Sequence, residues 1–219
     1  MKNLLKKVKA LFRPKVHEEK PVRAMRKATP RISISKEKIN TLPIFKYNGK
    51  IHLVRNDAQA AAAVKELRRE RVLGFDIETR PAFRKGESYP PALLQLAGHS
   101  AVYIFQLLAL RDLKWFHEIL SNAGIVKAGV SLDHDLKKLR ERQAFQSAGF
   151  VELSELSDQA GIQNNGLRGL AAILLGVRIS KGAQRSNWSR PDLSRDQILY
   201  AATDAFISRE IYLRLAPRE

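Results

Sequence analysis

The chain has no cysteine among its 219 residues. That excludes a disulfide framework and thiolate metal sites, and it fits a reducing compartment. No apolar run is long enough to span a bilayer. The first residues, Met1 to Lys9, are basic, but no apolar stretch comes after them, so a secretory signal is not expected. Acids are scarce beside bases: 22 Asp and Glu stand against 39 Lys and Arg, a formal net charge of +17. Such an excess says little about fold. It points to a polyanionic partner, either nucleic acid or an anionic membrane surface. Hydrophobic residues make up 44% of the chain, enough for one sizeable domain with a buried core.

The charge is unevenly spread. Residues 1–40 carry +10, and the remaining 179 carry +7. The first stretch reads as a basic arm. Leu4, Leu5, Val8, Leu11 and Phe12 fall on one side of a helix ringed by lysines, and Pro14, Pro21 and Pro30 interrupt the chain beyond it. A solubilising tail, a tether for nucleic acid, a weak membrane-surface helix and, in a eukaryote, a mitochondrial presequence all fit that pattern. Residues 41–219 form the expected folded domain.

Within that domain, Arg71 to Thr79 reads as a buried strand carrying two acids. Side chains alternate across a strand, so Asp76 and Glu78 share one face while Phe75 and Ile77 point to the other. Two acids on one face of a core strand repel each other and resist desolvation. A hard divalent cation would relieve both costs. The competing reading is a polar strand end in solvent.

Around this strand the pattern is mixed α/β. Strands are expected at 51–54, 93–97, 101–105, 125–130 and 150–153. Gly98-His99-Ser100 signals a hairpin between the second and third of these. Helices are expected at 58–69, 113–120, 132–145, 167–175 and 195–215. The last is well marked, because Ser194 and Gln197 fit a capping box and Asp196 occupies the first turn. On it Tyr200 and Asp204 lie four apart and share a face. Asp204 sits among apolar residues and needs a partner. A further acid, Asp133 or Asp135, stands where the strand at 125–130 meets a helix start. Asp76, Glu78, one of that pair and Asp204 can therefore converge on two divalent cations, whose usual work is phosphoryl chemistry.

Three segments carry a family resemblance. Phe75-Asp76-Ile77-Glu78-Thr79, Gly129 to Leu136 and Leu199-Tyr200-Ala201-Ala202-Thr203-Asp204-Ala205 resemble, in order, the three motifs of the DEDDy 3′–5′ exonucleases. The similarity is to the Werner-type exonuclease domain and ribonuclease D in particular, over roughly residues 50–216. Arg185-Ser186-Asn187-Trp188-Ser189 is also similar to that group. The resemblance implies a ribonuclease-H-like α/β fold with a mixed central sheet flanked by helices. It implies metal-dependent hydrolysis of phosphodiester bonds from the 3′ end, with Mg²⁺ or Mn²⁺ as a pair of ions and nucleoside 5′-monophosphates as products. Asp76 would bridge both metals, with Glu78 and Asp204 completing the tighter site. Asp135 matches the second-motif acid, since Ser131 stands four before it. Tyr200 would orient the attacking water. The sister subfamily has a histidine just before its last aspartate, and none lies near Asp204.

The expected partners are DNA or RNA 3′ ends. Cytoplasmic or nucleoid-associated placement is expected, or mitochondrial or nuclear placement in a eukaryote. An RNA trimmer and a non-catalytic nucleic-acid-binding module are the alternatives. Arg185, Asn187 and Trp188 are candidate nucleic-acid contacts, with Trp188 either stacking on a base or packing in the core. His134 is a candidate ligand or a solvated helix-start residue, and hard cations prefer oxygen.

Overall fold

The computed structural model describes residues 31–216. Residues 1–30, most of the expected arm, lie outside that range. Six strands form one mixed sheet: β1 (Lys50–Val54), β2 (Val72–Thr79), β3 (Pro91–Ala97), β4 (Ala101–Gln106), β5 (Val126–Gly129) and β6 (Phe150–Glu152). Their order is β1-β4-β3-β2-β5-β6. The strands β2, β3 and β4 run antiparallel to their neighbours in the meander, while β1, β5 and β6 pair in parallel. The expected hairpin closes with Gly98 donating to the Ala101 carbonyl at 3.0 Å.

Seven α-helices accompany the sheet among the described residues: α1 (Lys36–Thr41), α2 (Asp57–Leu67), α3 (His117–Leu120), α4 (Leu132–Arg142), α5 (Leu153–Gln159), α6 (Leu167–Leu170) and α7 (Arg195–Leu215). Strand alternation divides the core into layers. Leu73, Phe75, Ile77, Leu94, Leu96 and Phe105 pack on α2, α3 and α4, where Val64, Leu67, Ile119 and Leu136 meet them. The opposite face carries Leu93, Ala97, Val102 and Ile104, and there α7 supplies Ala201, Ala202 and Ala205. Small side chains on both partners let α7 lie close to the sheet.

Two expected boundaries move for local reasons. The helix expected to reach residue 145 ends at Arg142, where Gln143 turns extended and its side chain accepts from the Leu113 amide at 2.7 Å. The strand expected to reach Leu153 stops at Glu152, because the Glu152 carboxylate caps α5, a helix the periodicity does not announce. The expected helix 167–175 passes from α6 into a π turn at Ala171–Leu175 and stops at Gly176, whose φ of 69° suits glycine. Lys127 is fully buried in β5. Its Nζ donates to the Asn122 and Ile125 carbonyls, both at 2.7 Å, and burial lowers its pKa to about 8.

Residues 31–47 are laid onto this body. Ile32 bridges to Ile162 and Ile44 to Arg178, both in parallel, and Ile39 of α1 is buried.

The approach of α7 to β2 depends on Gly74. A Cβ there would overlap the Ala205 carbonyl oxygen and crowd the Arg209 amide nitrogen at 2.8 Å. Both are backbone atoms that no rotamer change can move. Gly74→Ala should therefore lift α7 from the sheet and cost roughly 3 kcal/mol, the upper end of ordinary overpacking. A thermal melt should show Tm falling by roughly 6–12 °C for a chain of this size. A melt within about 2 °C of wild type would show that the helix has slack at this contact.

Candidate active site

Asp76 and Glu78 leave β2 on the face that looks toward α7, as the alternation requires, with Phe75 and Ile77 buried in the opposite layer. From α7 comes Asp204, 6% exposed. One candidate ligand oxygen from each of Asp76, Glu78 and Asp204 lies within 4.8 Å of the others. At that spacing, ionised pairs repel by about 3 kcal/mol each at an effective dielectric near 20.

The protein holds these acids by raising their proton affinity. Burial pushes the Asp76 carboxyl well above the usual range. Burial, then Asp76, Asp204 and Asp135, push Glu78 up. Asp204 is raised by burial and by Asp76. Asp135 rises to about 8 through burial, Asp76 and Glu152, so it borders the group while standing outside the closest three. Asp133 and His134 are exposed and outside it.

The helix that presents Asp135 begins under constraint. Ser131 has φ of 64°, the sole positive value at a non-glycine among the described residues. That left-handed residue turns the chain sharply from β5 into α4. The Leu132 amide then donates to Glu152 Oε2 at 2.8 Å, while Glu152 Oε1 accepts from the Ser154 amide at 3.0 Å. One carboxylate thus caps two helix starts and places a negative charge near Asp135. Glu152 is a residue that sequence reasoning missed. An acid just ahead of a helical segment is the signal that could have found it.

On α7, Tyr200 stands one turn before Asp204. Burial, then the Asp204 and Glu78 charges, pushes its phenol above the ordinary value. The capping box is present: the Gln197 amide donates to Ser194 Oγ at 3.2 Å and Ser194 N to Gln197 Oε1 at 3.0 Å. Gln197 Nε2 also donates to Ser186 Oγ and the Asn187 carbonyl, tying the preceding loop to the helix start.

That loop holds the three candidate nucleic-acid contacts, and they separate. Asn187 is exposed and lines a cavity of about 490 Å³ that also touches Tyr200 and Asp204. Arg185 is exposed, with its guanidinium 5.5 Å above the ring of exposed Phe83. Trp188 is 1% exposed and packs 5.8 Å from the Tyr200 ring. Its buried ring leaves no face for a base, so the stacking reading is corrected to packing beside the site.

Gln95 was also missed. It is the residue paired with Asp76 across the β2–β3 ladder, it is fully buried, and neither amide atom has a hydrogen-bond partner among the described residues. A polar residue within a strand that is otherwise apolar was the available signal.

The donor set fits a hard divalent cation. It consists of carboxylate oxygens alone, and the buried Asp204 Oδ1 has no hydrogen-bond partner among the described residues. Asp76, Glu78 and Asp204 could hold one such ion, with Asp135 available at the margin.

Because these carboxyls bind protons more tightly in the folded protein than unfolded, the metal-free fold should lose stability as pH rises from about 4 to about 8. Mg²⁺ should remove most of that loss. Asp76→Asn in chelator at about pH 8 should raise Tm by at least about 4 °C, since one repelling charge is gone. Melts across this range with and without Mg²⁺ check the point, and a flat metal-free profile would contradict it.

A family model described as 3′-5′ exonuclease matches residues 51–218. The bifunctional 3′-5′ exonuclease/ATP-dependent helicase WRN of Mus musculus is 33% identical over 150 residues, which is 66% of this chain. The chain spans 11% of that protein's length, so the match is to part of a longer relative. Among solved structures, the EXO domain of Aedes aegypti Nibbler superposes with a TM-score of 0.70 at 20% identity, covering 85% of this chain and 91% of that one. Trypanosoma brucei RNase D in complex with RNA U12 gives 0.70 at 17% identity, covering 78% and 64%. The mixed sheet with flanking helices is thus the ribonuclease-H-like fold of these exonuclease domains. No helix among the described residues is long and apolar enough to cross a membrane. With three acids gathered from β2 and α7, and a family match across more than half its length, the chain belongs to the 3′-5′ exonuclease domain family.

Proposed function

We propose that this chain hydrolyses the terminal phosphodiester bond at the 3′ end of a nucleic-acid strand and releases a nucleoside 5′-monophosphate. The observation that carries the reading is the convergence of Asp76, Glu78 and Asp204 within 4.8 Å, with Tyr200 a turn away. Asp76, Glu78 and Asp204 would hold a divalent cation and Asp135 would help to hold a second. A bound pair of Mg²⁺ or Mn²⁺ ions would supply an acidified water and stabilise charge on the departing 3′ oxygen.

The side chains divide the remaining work. Tyr200 keeps its proton at neutral pH, because burial and two nearby acids oppose its ionisation. It therefore orients the attacking water as a hydroxyl and is no base. Thr203 Oγ1 donates to the Leu199 carbonyl at 2.6 Å and Ser208 Oγ to the Asp204 carbonyl at 2.9 Å, steadying the turn that carries Asp204. Asn187 and Arg190 offer polar contacts in the cavity beside Tyr200. The RNA in the trypanosomal RNase D complex favours a second reading, in which RNA is the preferred strand. The basic stretch before residue 31 is assigned to added affinity for the polyanion, without chemistry.

End-labelled single-stranded DNA, duplex DNA with a recessed 3′ end, and RNA, each with Mg²⁺, Mn²⁺ or chelator, test the reading together. A ladder shortening from the 3′ end is expected with metal and none with chelator. Asp76→Asn should lower single-turnover cleavage by about 10³-fold or more, as for loss of a main electrostatic contact. Failure of the folded protein to shorten any of the three strands with either metal would leave a non-catalytic binding module.

Two further variants assign roles. Tyr200→Phe keeps the ring and loses the hydroxyl, so cleavage should fall by about 10²-fold while calorimetric metal titration stays at wild type. Full turnover, or a defect explained by lost metal, would remove Tyr200 from the mechanism. Asp135→Asn should be far more damaging than Asp133→Asn, whose side chain is exposed. The reverse ranking in the same assay would shift the second-motif acid to Asp133.

A further inference from the structure

The segment before the family match is built into the site. The family model begins at residue 51, yet residues 32–47 are anchored at three places around the catalytic helix. Ile32 exchanges backbone hydrogen bonds with Gly161 and Gln163, and Ile34 does so with the Asn164 side chain. Farther along, Arg178 donates to the Pro43 carbonyl and Phe45 donates to the Arg178 carbonyl. Finally Tyr47 N donates to Thr203 Oγ1 at 3.0 Å, and the rings of Phe45 and Tyr47 lie 5.7 Å and 4.9 Å from that of Phe206. Thr203 and Phe206 flank Asp204 in sequence, so the last anchor grips the turn that bears the acid.

This route places two lysines in two different cavities. The cavity of about 490 Å³ is lined by Phe45, Lys46 and Arg190. A second, of about 440 Å³, is lined by Lys36, Ile39, Arg168 and Lys181. Each is large enough for a small ligand. Tyr200 and Asp204 line both. A bond held at those two residues would leave one flanking nucleotide to each side. Both cavities offer what a nucleotide needs: apolar surface for the base and sugar, and cations for phosphate. The Arg168 guanidinium also donates to Asn40 Oδ1 at 2.6 Å, fixing the end of α1 to the wall of the second cavity.

We propose that residues 32–47 form a substrate-binding strap, in which Lys36 and Lys46 contact the phosphates of the strand on the two sides of the bond to be cut. The strap deepens the exonuclease reading and rests on it for the position of that bond. Lysine suits this task as a mobile point charge, and both lysines are exposed, so their removal spares the core.

The test measures binding to a short fluorescein-labelled oligothymidylate, with the full chain and with chelator present so that nothing is cut. Each phosphate contact on a single strand contributes about 0.7 to the slope of log affinity against log salt. Lys36→Gln and Lys46→Gln should each make the slope shallower by about 0.7, and the double variant by about 1.4. The controls are Lys65→Gln and Lys114→Gln, from the layer on the opposite face of the sheet. They should keep the wild-type slope. A double variant with the wild-type slope, or controls that lower it equally, would overturn the strap. A wild-type protein that binds the strand but never shortens it in Mg²⁺ or Mn²⁺ defeats the exonuclease reading. A protein that shortens it while the double variant keeps its slope defeats the strap alone.

Discussion

The repulsion among Asp76, Glu78 and Asp204 is the constraint on which the rest of the site depends. Left in water, these side chains would separate. The fold prevents this by fixing two of them on one strand and the third on a helix that cannot withdraw without losing its contact with the sheet. Alanines 201, 202 and 205 and the missing side chain of Gly74 bring α7 and β2 together. The same closeness that makes the core dense keeps the acids in a group. Stability is spent to hold an arrangement that a bound cation would favour.

The fourth acid obeys a different logic. Asp135 depends on a left-handed Ser131 and on Glu152, which accepts the first amide of its helix. Its neighbours are therefore Asp76 and another negative charge, and it does not join the closest three. The site is asymmetric in consequence. Its tight side is built by the strand–helix contact in the core, and its looser side by a turn and a helix start. Strain at Ser131 and the double cap at Glu152 compensate for the weaker packing there.

Much of this was legible along the chain because the decisive periods are short. An alternation of two put Asp76 and Glu78 on one face, a helical spacing of four joined Tyr200 to Asp204, and the Ser194–Gln197 box marked the start of α7. What was not legible depends on pairs distant in sequence. Trp188 could pack or stack, and only the neighbouring Tyr200 ring and the surrounding layer decide for packing. Gln95 becomes notable once the strand register sets it opposite Asp76. Glu152 serves α4 from twenty residues downstream. Residues 31–47 look basic and irregular, and nothing local reveals that Tyr47 reaches Thr203 across 156 positions.

That last contact bears on how the whole site is held. Asp204 lies on a helix whose outer side would otherwise face solvent. Phe45 and Tyr47 cover Phe206, while the Tyr47 amide takes up Thr203 Oγ1. The catalytic turn is thus gripped from both sides, by the sheet through Gly74 and by the incoming chain through Tyr47. A helix held on one side can rotate to relieve charge repulsion. Held on two, it keeps its acid aimed at β2 even before any cation neutralises the group. Preorganisation of this kind lowers what a ligand must supply on binding. It also explains why a segment outside the family match packs on the most strongly charged part of the molecule, where apolar cover and a hydrogen bond to the helix matter most.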